Sequence, residues 1–127
     1  MTSFISRDPR IETDLKVHVG VQEIPSRQLI TPLVTGRLRT ISTTGACIGL
    51  PRIIINTTHL FFATLNNQKN QLLLSISLPD SEEEFAEIAA KPIWMNTWRI
   101  NKNMEFRIGL HFIAKQQKLH KIIKRLF

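Results

Sequence analysis

The chain holds a single cysteine, Cys47, among its 127 residues. One thiol excludes an internal disulfide and a multi-cysteine zinc site, and it suits a reducing compartment, so the cytoplasm is the expected setting. No apolar run approaches the roughly 18 residues of a membrane-spanning helix. The first twenty residues carry Asp8, Glu12 and Asp14 and lack the apolar core of a signal peptide, which points to a soluble protein. No His or Cys pair has metal-ligand spacing, so no metal site is expected. The glycines form neither a dinucleotide-binding fingerprint nor a Walker loop. No serine stands in a nucleophile elbow, and His18, His59, His111 and His120 have no distinctive neighbours. The acids Glu82, Glu83, Glu84 and Glu87 read as a solvated face. Neither catalysis nor a bound cofactor is expected.

Acids are scarce as well. Ten Asp and Glu face 17 Lys and Arg, for a net charge of +7, which favours an anionic partner. Five of the ten acids lie between Asp80 and Glu87, whereas Lys115, Lys118, Lys121, Lys124 and Arg125 close the chain with no acid among them.

A chain of this length, 43% hydrophobic, fits one domain with a core of its own. Residues 1–14 are polar, with arginines around Pro9, and read as a flexible extended arm ahead of a single domain over 15–127, because the residue before proline avoids the helical region. Leu15, Val17, Val19 and Val21 alternate with polar or small residues, the period of a strand with one buried face. Val34, Leu38 and Ile41 carry a weaker pattern up to Ser42-Thr43-Thr44-Gly45, a turn in which Gly45 can take positive φ without steric cost. Ala46–Leu50 then resumes as a short strand closed by Pro51. Farther on, Ile53–Ile55, Leu60–Leu65 and Leu72–Leu78 are rich in β formers, and the Asn-rich turn at 66–70 predicts a hairpin between the last two. Between Pro79 and Pro92, Ser81 and Glu84 match a capping box that opens a short helix, and the same residues fit a long polar edge strand. A second hairpin joins Ile93–Ile100 to Met104–Ile113. Leu119, Ile122, Ile123 and Leu126 recur at helical spacing, so the chain ends in an amphipathic helix with a basic outer side. Six or seven short strands and one helix predict a mainly β fold, a small antiparallel barrel with the helix docked against it.

The arginine segment Arg7-Asp8-Pro9-Arg10 followed by Thr40-Ile41-Ser42-Thr43-Thr44-Gly45 resembles the PilZ domain, in which an R-x-x-x-R arm and a [D/N]-x-S-x-x-G turn bind the second messenger cyclic di-GMP on the outside of a six-stranded barrel. The order continues in Ala46-Cys47-Ile48, a strand ending Ser77-Leu78-Pro79, a strand with Trp94, Arg107-Ile108-Gly109-Leu110-His111-Phe112 and the closing helix. Residues 51–70 are longer than the usual connection and leave room for an extra hairpin or short helix. With Arg10 as the second arginine, the first position holds Ser6 and Arg7 comes one place late; Thr40 stands where Asp or Asn is usual, while Ser42 and Gly45 fit.

The resemblance implies a non-catalytic receptor or adaptor module for bacterial signalling, with Arg7, Arg10, Thr40, Ser42 and Gly45 as ligand-binding residues. Arginine suits such a ligand because a guanidinium can pair with phosphate, with the O6 and N7 edge of guanine, or stack on a base. Two alternatives follow from the same residues. One is a PilZ-like domain without the nucleotide, acting through a protein partner alone. The other is a basic barrel that binds single-stranded nucleic acid through Lys118, Lys121, Lys124 or Arg125. Trp94 and Trp98, four apart on one strand, are expected to share a face and pack in the core.

Overall fold

The computed structural model describes residues 10–79 and 84–127. Strand β1 (Ile11–Glu23) pairs with β2 (Val34–Ile41), which turns back through Ser42–Thr44 into β3 (Gly45–Leu50). A two-residue-per-strand hairpin, β4 (Ile54–Ile55) and β5 (Thr58–His59), leads into helix α1 (Leu60–Leu65). Strands β6 (Asn70–Ser77), β7 (Glu84–Ile100) and β8 (Asn103–Phe112) follow, and helix α2 (Gln117–Leu126) closes the chain. Six strands form a closed antiparallel ring in the order β1-β2-β3-β8-β7-β6, which leaves no free edge to aggregate. The mainly β barrel with a C-terminal helix is thus as its alternation predicts.

The core is the sum of the inward-facing positions. Val17, Val19 and Val21 on β1, Leu72, Leu74 and Ile76 on β6, and Ile108 and Leu110 on β8 are all buried. In β3 every residue is buried: Ala46, Ile48 and Leu50 face the core, and the outward Cys47 and Gly49 are buried as well, Gly49 beneath the Glu105 carboxylate. Leu119 and Ile123 of α2 join the same core, and the Gln116 amide donates to the Thr43 carbonyl at 2.8 Å, tying the helix start to the β2–β3 turn.

Two expectations change, and two left open are decided. β1 begins at Ile11, not Leu15: Ile11 lies opposite Ile41 and Glu12 opposite Thr40, and an irregularity between Glu12 and Leu15 breaks the alternation that would have revealed it. Leu60–Leu65 is a helix, not a strand. Its buried residues, Leu60, Phe61 and Thr64, fall on one helical side, His59 Nδ1 accepts from the Phe62 amide at 3.2 Å, and the Thr64 hydroxyl donates back to the Leu60 carbonyl at 2.8 Å. The insertion at 51–70 holds both a small hairpin and this helix, with Asn56 and Thr57 at φ 48° and 70°, as a tight two-residue hairpin turn requires. From Glu84 onward the strand reading holds over the helical one, since β7 pairs first with β6 and then with β8; the Ser81 end of the capping box lies outside the described residues.

Candidate ligand site on the outer face

The β2–β3 corner is built around Ser42. The Ser42 amide donates to the Gly45 carbonyl at 2.8 Å, and its hydroxyl oxygen accepts from the Thr44 and Gly45 amides at 3.3 and 3.2 Å. At 6% exposure Ser42 shapes the turn from inside. Gly45 does not use positive φ, contrary to the expectation from its permissive backbone. Its need is space: a Cβ there would stand 2.3 Å from the Leu110 carbonyl oxygen of β8.

Arg10, the last arm residue before β1, donates from Nη1 to the Thr40 hydroxyl at 3.4 Å. The arm therefore leaves the barrel beside the corner. Arg7 lies outside the described residues. Of the five positions singled out from the sequence, Arg10 and Thr40 meet on the outer surface, whereas Ser42 and Gly45 are buried beneath it.

Register carries this corner across the sheet. Thr40 is opposite Cys47, Cys47 opposite Gly109, and Gly109 opposite Trp94, so one outward row crosses β2, β3, β8 and β7. Gly109 has no side chain to fill its place, and Trp94 lies flat over it: a Cβ would meet the indole nitrogen at 2.1 Å. The next row pairs Arg37 with Gly49, Gly49 with Arg107 and Arg107 with Asn96. A bulge between Leu38 and Thr40 adds Arg39 to the outer face without moving Leu38 or Ile41 from the core. Arg39 grips Glu105 through two bonds, Nε to Oε1 at 3.1 Å and Nη2 to Oε2 at 2.5 Å, and reaches Asp14 at 2.8 Å. Arg107 Nε also donates to Glu105 Oε1, at 2.9 Å, and the Arg107 guanidinium lies over Trp98, 4.5 Å from the ring centroid.

The electrostatics follow from these contacts. Burial pushes the Glu105 carboxyl up, but hydrogen bonds from Arg39 and Arg107 outweigh it and hold the group below the ordinary carboxylate value. Arg39 is raised in return, chiefly by its bond to Glu105. Burial raises the Cys47 thiol against the pull of Arg107, Arg10 and Arg39, which places three arginines around this one position. A groove lined by Arg37, Arg39, Pro51, Met104 and Glu105 continues the face toward the β7–β8 turn. Among the described residues, no group of three or more His, Cys, Asp or Glu side chains could hold a metal ion, and no helix is long and apolar enough to cross a membrane.

No protein-family profile matches the chain, and no curated protein matches it. Among solved structures, the PilZ domain of YcgR from Escherichia coli, with c-di-GMP, is similar at a TM-score of 0.59 and 12% identity, over 94% of this chain and 86% of that one. The fold is that of a PilZ domain. The PlzA protein of Borreliella burgdorferi, in complex with c-di-GMP, is similar at a TM-score of 0.56 and 14% identity, over 89% of this chain and 47% of that one.

On this PilZ-like barrel Trp94 and Trp98 do share a face, but the wrong one for core packing: they are 43% and 50% exposed. Both stand opposite outward residues of β8, Gly109 and Glu105, so the strand turns them to solvent. Sequence reasoning also passed over Arg39, Glu105 and Arg107. The signal was there in the hairpin: counting back from the Asn101–Lys102 turn pairs Trp98 with Glu105 and Asn96 with Arg107, which assembles an aromatic and charged outer face. The basic side of α2 is exposed at Lys118, Lys121, Lys124 and Arg125, while His120 is buried.

Because the Ser42 hydroxyl serves two backbone amides, Ser42→Ala is expected to lower stability by about 1–2 kcal/mol, the cost of leaving buried donors without an acceptor. Urea unfolding at neutral pH measures it. A loss below a few tenths of a kcal/mol would mean that water replaces the hydroxyl.

Proposed function

We propose that the chain is a non-catalytic, cytoplasmic receptor module that binds cyclic di-GMP on its outer face, between the arm and the Thr40 corner. The observation that carries this reading is the Arg10–Thr40 contact, which sets an arm guanidinium against the outward row of the sheet. Both similar structures were solved with c-di-GMP. The chemistry agrees with such a ligand: arginine pairs with phosphate oxygens or with guanine, and the half-exposed Trp94 offers a flat surface for a base. At about 3.5 Å per residue, an extended arm would bring Arg7, three residues before Arg10, within reach of the same corner. Binding orders the arm against the barrel and so changes the surface shown to a protein partner.

The test is a calorimetric titration with cyclic di-GMP. The wild-type domain is expected to bind, and Arg10→Ala to weaken binding by about tenfold to a hundredfold, the loss of one charge-assisted contact of roughly 1.5–3 kcal/mol. Absence of heat at high micromolar ligand overturns the reading. It would favour a PilZ-like domain that works through protein contacts alone, a second reading supported by Thr40 in place of an acid or amide and by a Ser42 hydroxyl already committed to its own turn.

A further inference from the structure

The Arg107–Trp98 stack lies two strands away from Thr40, roughly 10 Å across the sheet at about 4.8 Å per strand. It is built as a rigid station. Glu105 receives Nε of Arg107 while Arg39 holds the same carboxylate from the other side, and the Trp98 ring supports the guanidinium plane from below. An arginine side chain on a strand normally loses several rotamers when it binds, and here that freedom is already gone before any ligand arrives. Nε is one of five N–H donors; the other four, on the two Nη atoms, form no hydrogen bond among the described residues. A flat guanidinium backed by an aromatic ring, presenting two parallel donors, has the shape of a reader of a planar base edge carrying two adjacent acceptors. Guanine offers such an edge in O6 and N7. Adenine replaces O6 with an amino donor and would set N–H against N–H.

We infer that Arg107, stacked on Trp98 and clamped by Glu105, is a specificity-determining residue that selects guanine over adenine in a cyclic dinucleotide on this face. The inference rests on the reading of the domain as a cyclic di-GMP receptor and names a contact outside the arm and the β2–β3 corner. The station explains why β8 carries Glu105 and Arg107 on its outward side next to Gly49: the Glu105 carboxylate fills the space where a Cβ on Gly49 would stand. It also accounts for Trp98 being left half exposed.

The discriminating variant is Arg107→Gln, because a glutamine amide pairs with the N6 and N7 edge of adenine as arginine does with guanine. Wild type and variant are titrated with cyclic di-GMP and with cyclic di-AMP, which share a phosphate backbone and differ in the base. Wild type is expected to prefer cyclic di-GMP by tenfold or more. The variant is expected to bind cyclic di-GMP at least tenfold more weakly while its affinity for cyclic di-AMP holds or rises. Trp98→Leu, which removes the support and keeps the arginine, is expected to reduce the same preference by severalfold. An equal loss for both nucleotides would make Arg107 a phosphate contact or a merely structural residue, and no change would remove it from the site; either result overturns the inference while cyclic di-GMP binding by wild type keeps the receptor reading. Wild type failing to bind overturns both. Circular dichroism and thermal melting of each variant show whether the barrel is intact.

Discussion

Gly45→Ala is expected to destabilise the domain by roughly 1–3 kcal/mol, although alanine is normally the milder residue in a strand, because the added methyl falls 2.3 Å from the Leu110 carbonyl oxygen. That atom is backbone, held in the β3–β8 ladder where Gly45 lies opposite His111, so it cannot swing aside as a side chain would. The strain falls on the corner itself, since the Gly45 amide and carbonyl both bond to Ser42, and the Thr44 carbonyl accepts from Phe112. Gly20→Ala is the control: its Cβ would meet Leu33 and Leu29 methyls at 3.0 and 3.2 Å, ends of exposed side chains that can yield, and the buried Thr31 hydroxyl at 3.3 Å, a milder approach than a backbone oxygen at 2.3 Å. Thermal melts of the two variants should separate clearly, with Gly45→Ala the lower. Equal midpoints would mean that the β8 backbone gives way and that glycine at 45 has some other purpose.

The second large effect belongs to Glu105, whose side chain is only 14% exposed and receives bonds from two arginines. Glu105→Gln removes the charge but nearly keeps the shape. It leaves Arg39 and Arg107 without their shared counter-ion, for an expected loss of about 2–3 kcal/mol at neutral pH. The pH dependence has a definite sign. The native Glu105 carboxyl ionises below the unfolded value of about 4.3, so the unfolded state binds more protons as acid is added. The stabilisation is complete above that unfolded value and is lost as pH falls through the lower native one. Urea unfolding at pH 7 and again below about pH 4 should show the gap between wild type and Glu105→Gln shrinking in acid. A gap that stayed constant would place the effect in packing and not in charge. The same variant leaves Arg107 Nε a neutral amide oxygen in place of a carboxylate and so loosens its clamp, and cyclic dinucleotide selectivity is expected to fall with it, which links the stability measurement to the binding one.

Much of the barrel was legible from alternation. The buried sets on β6 and on the second half of β8 are regular period-two runs, and a strand with one face on a core has no other way to bury them. The places that resisted are irregular for physical reasons. At the start of β1, between Leu38 and Thr40, between Phe85 and Ile88 opposite an unbroken β6, and between Pro92 and Trp94, register shifts insert extra residues, and each shift exchanges inside for outside in a pattern read by parity. Leu60–Leu65 misled by composition: its apolar residues suit a strand, and a cap from His59 together with packing of α1 on β1, β6 and β7 makes it a helix.

The site divided in the same way. Arg10, Thr40, Ser42 and Gly45 could be picked out in one dimension because a turn and an arm are local features, set by which residues stand a few places apart. Whether Arg10 meets Thr40, and whether Trp98, Glu105 and Arg107 form one surface with Arg39, depends on ladders joining residues as much as 66 positions apart. Strand propensity and hydrophobic period are carried by neighbouring residues and survive in the linear chain. Which side chains stand next to each other across a sheet is set by ring closure and by the bulges, and a one-residue slip in either would have turned the aromatic and charged face inward.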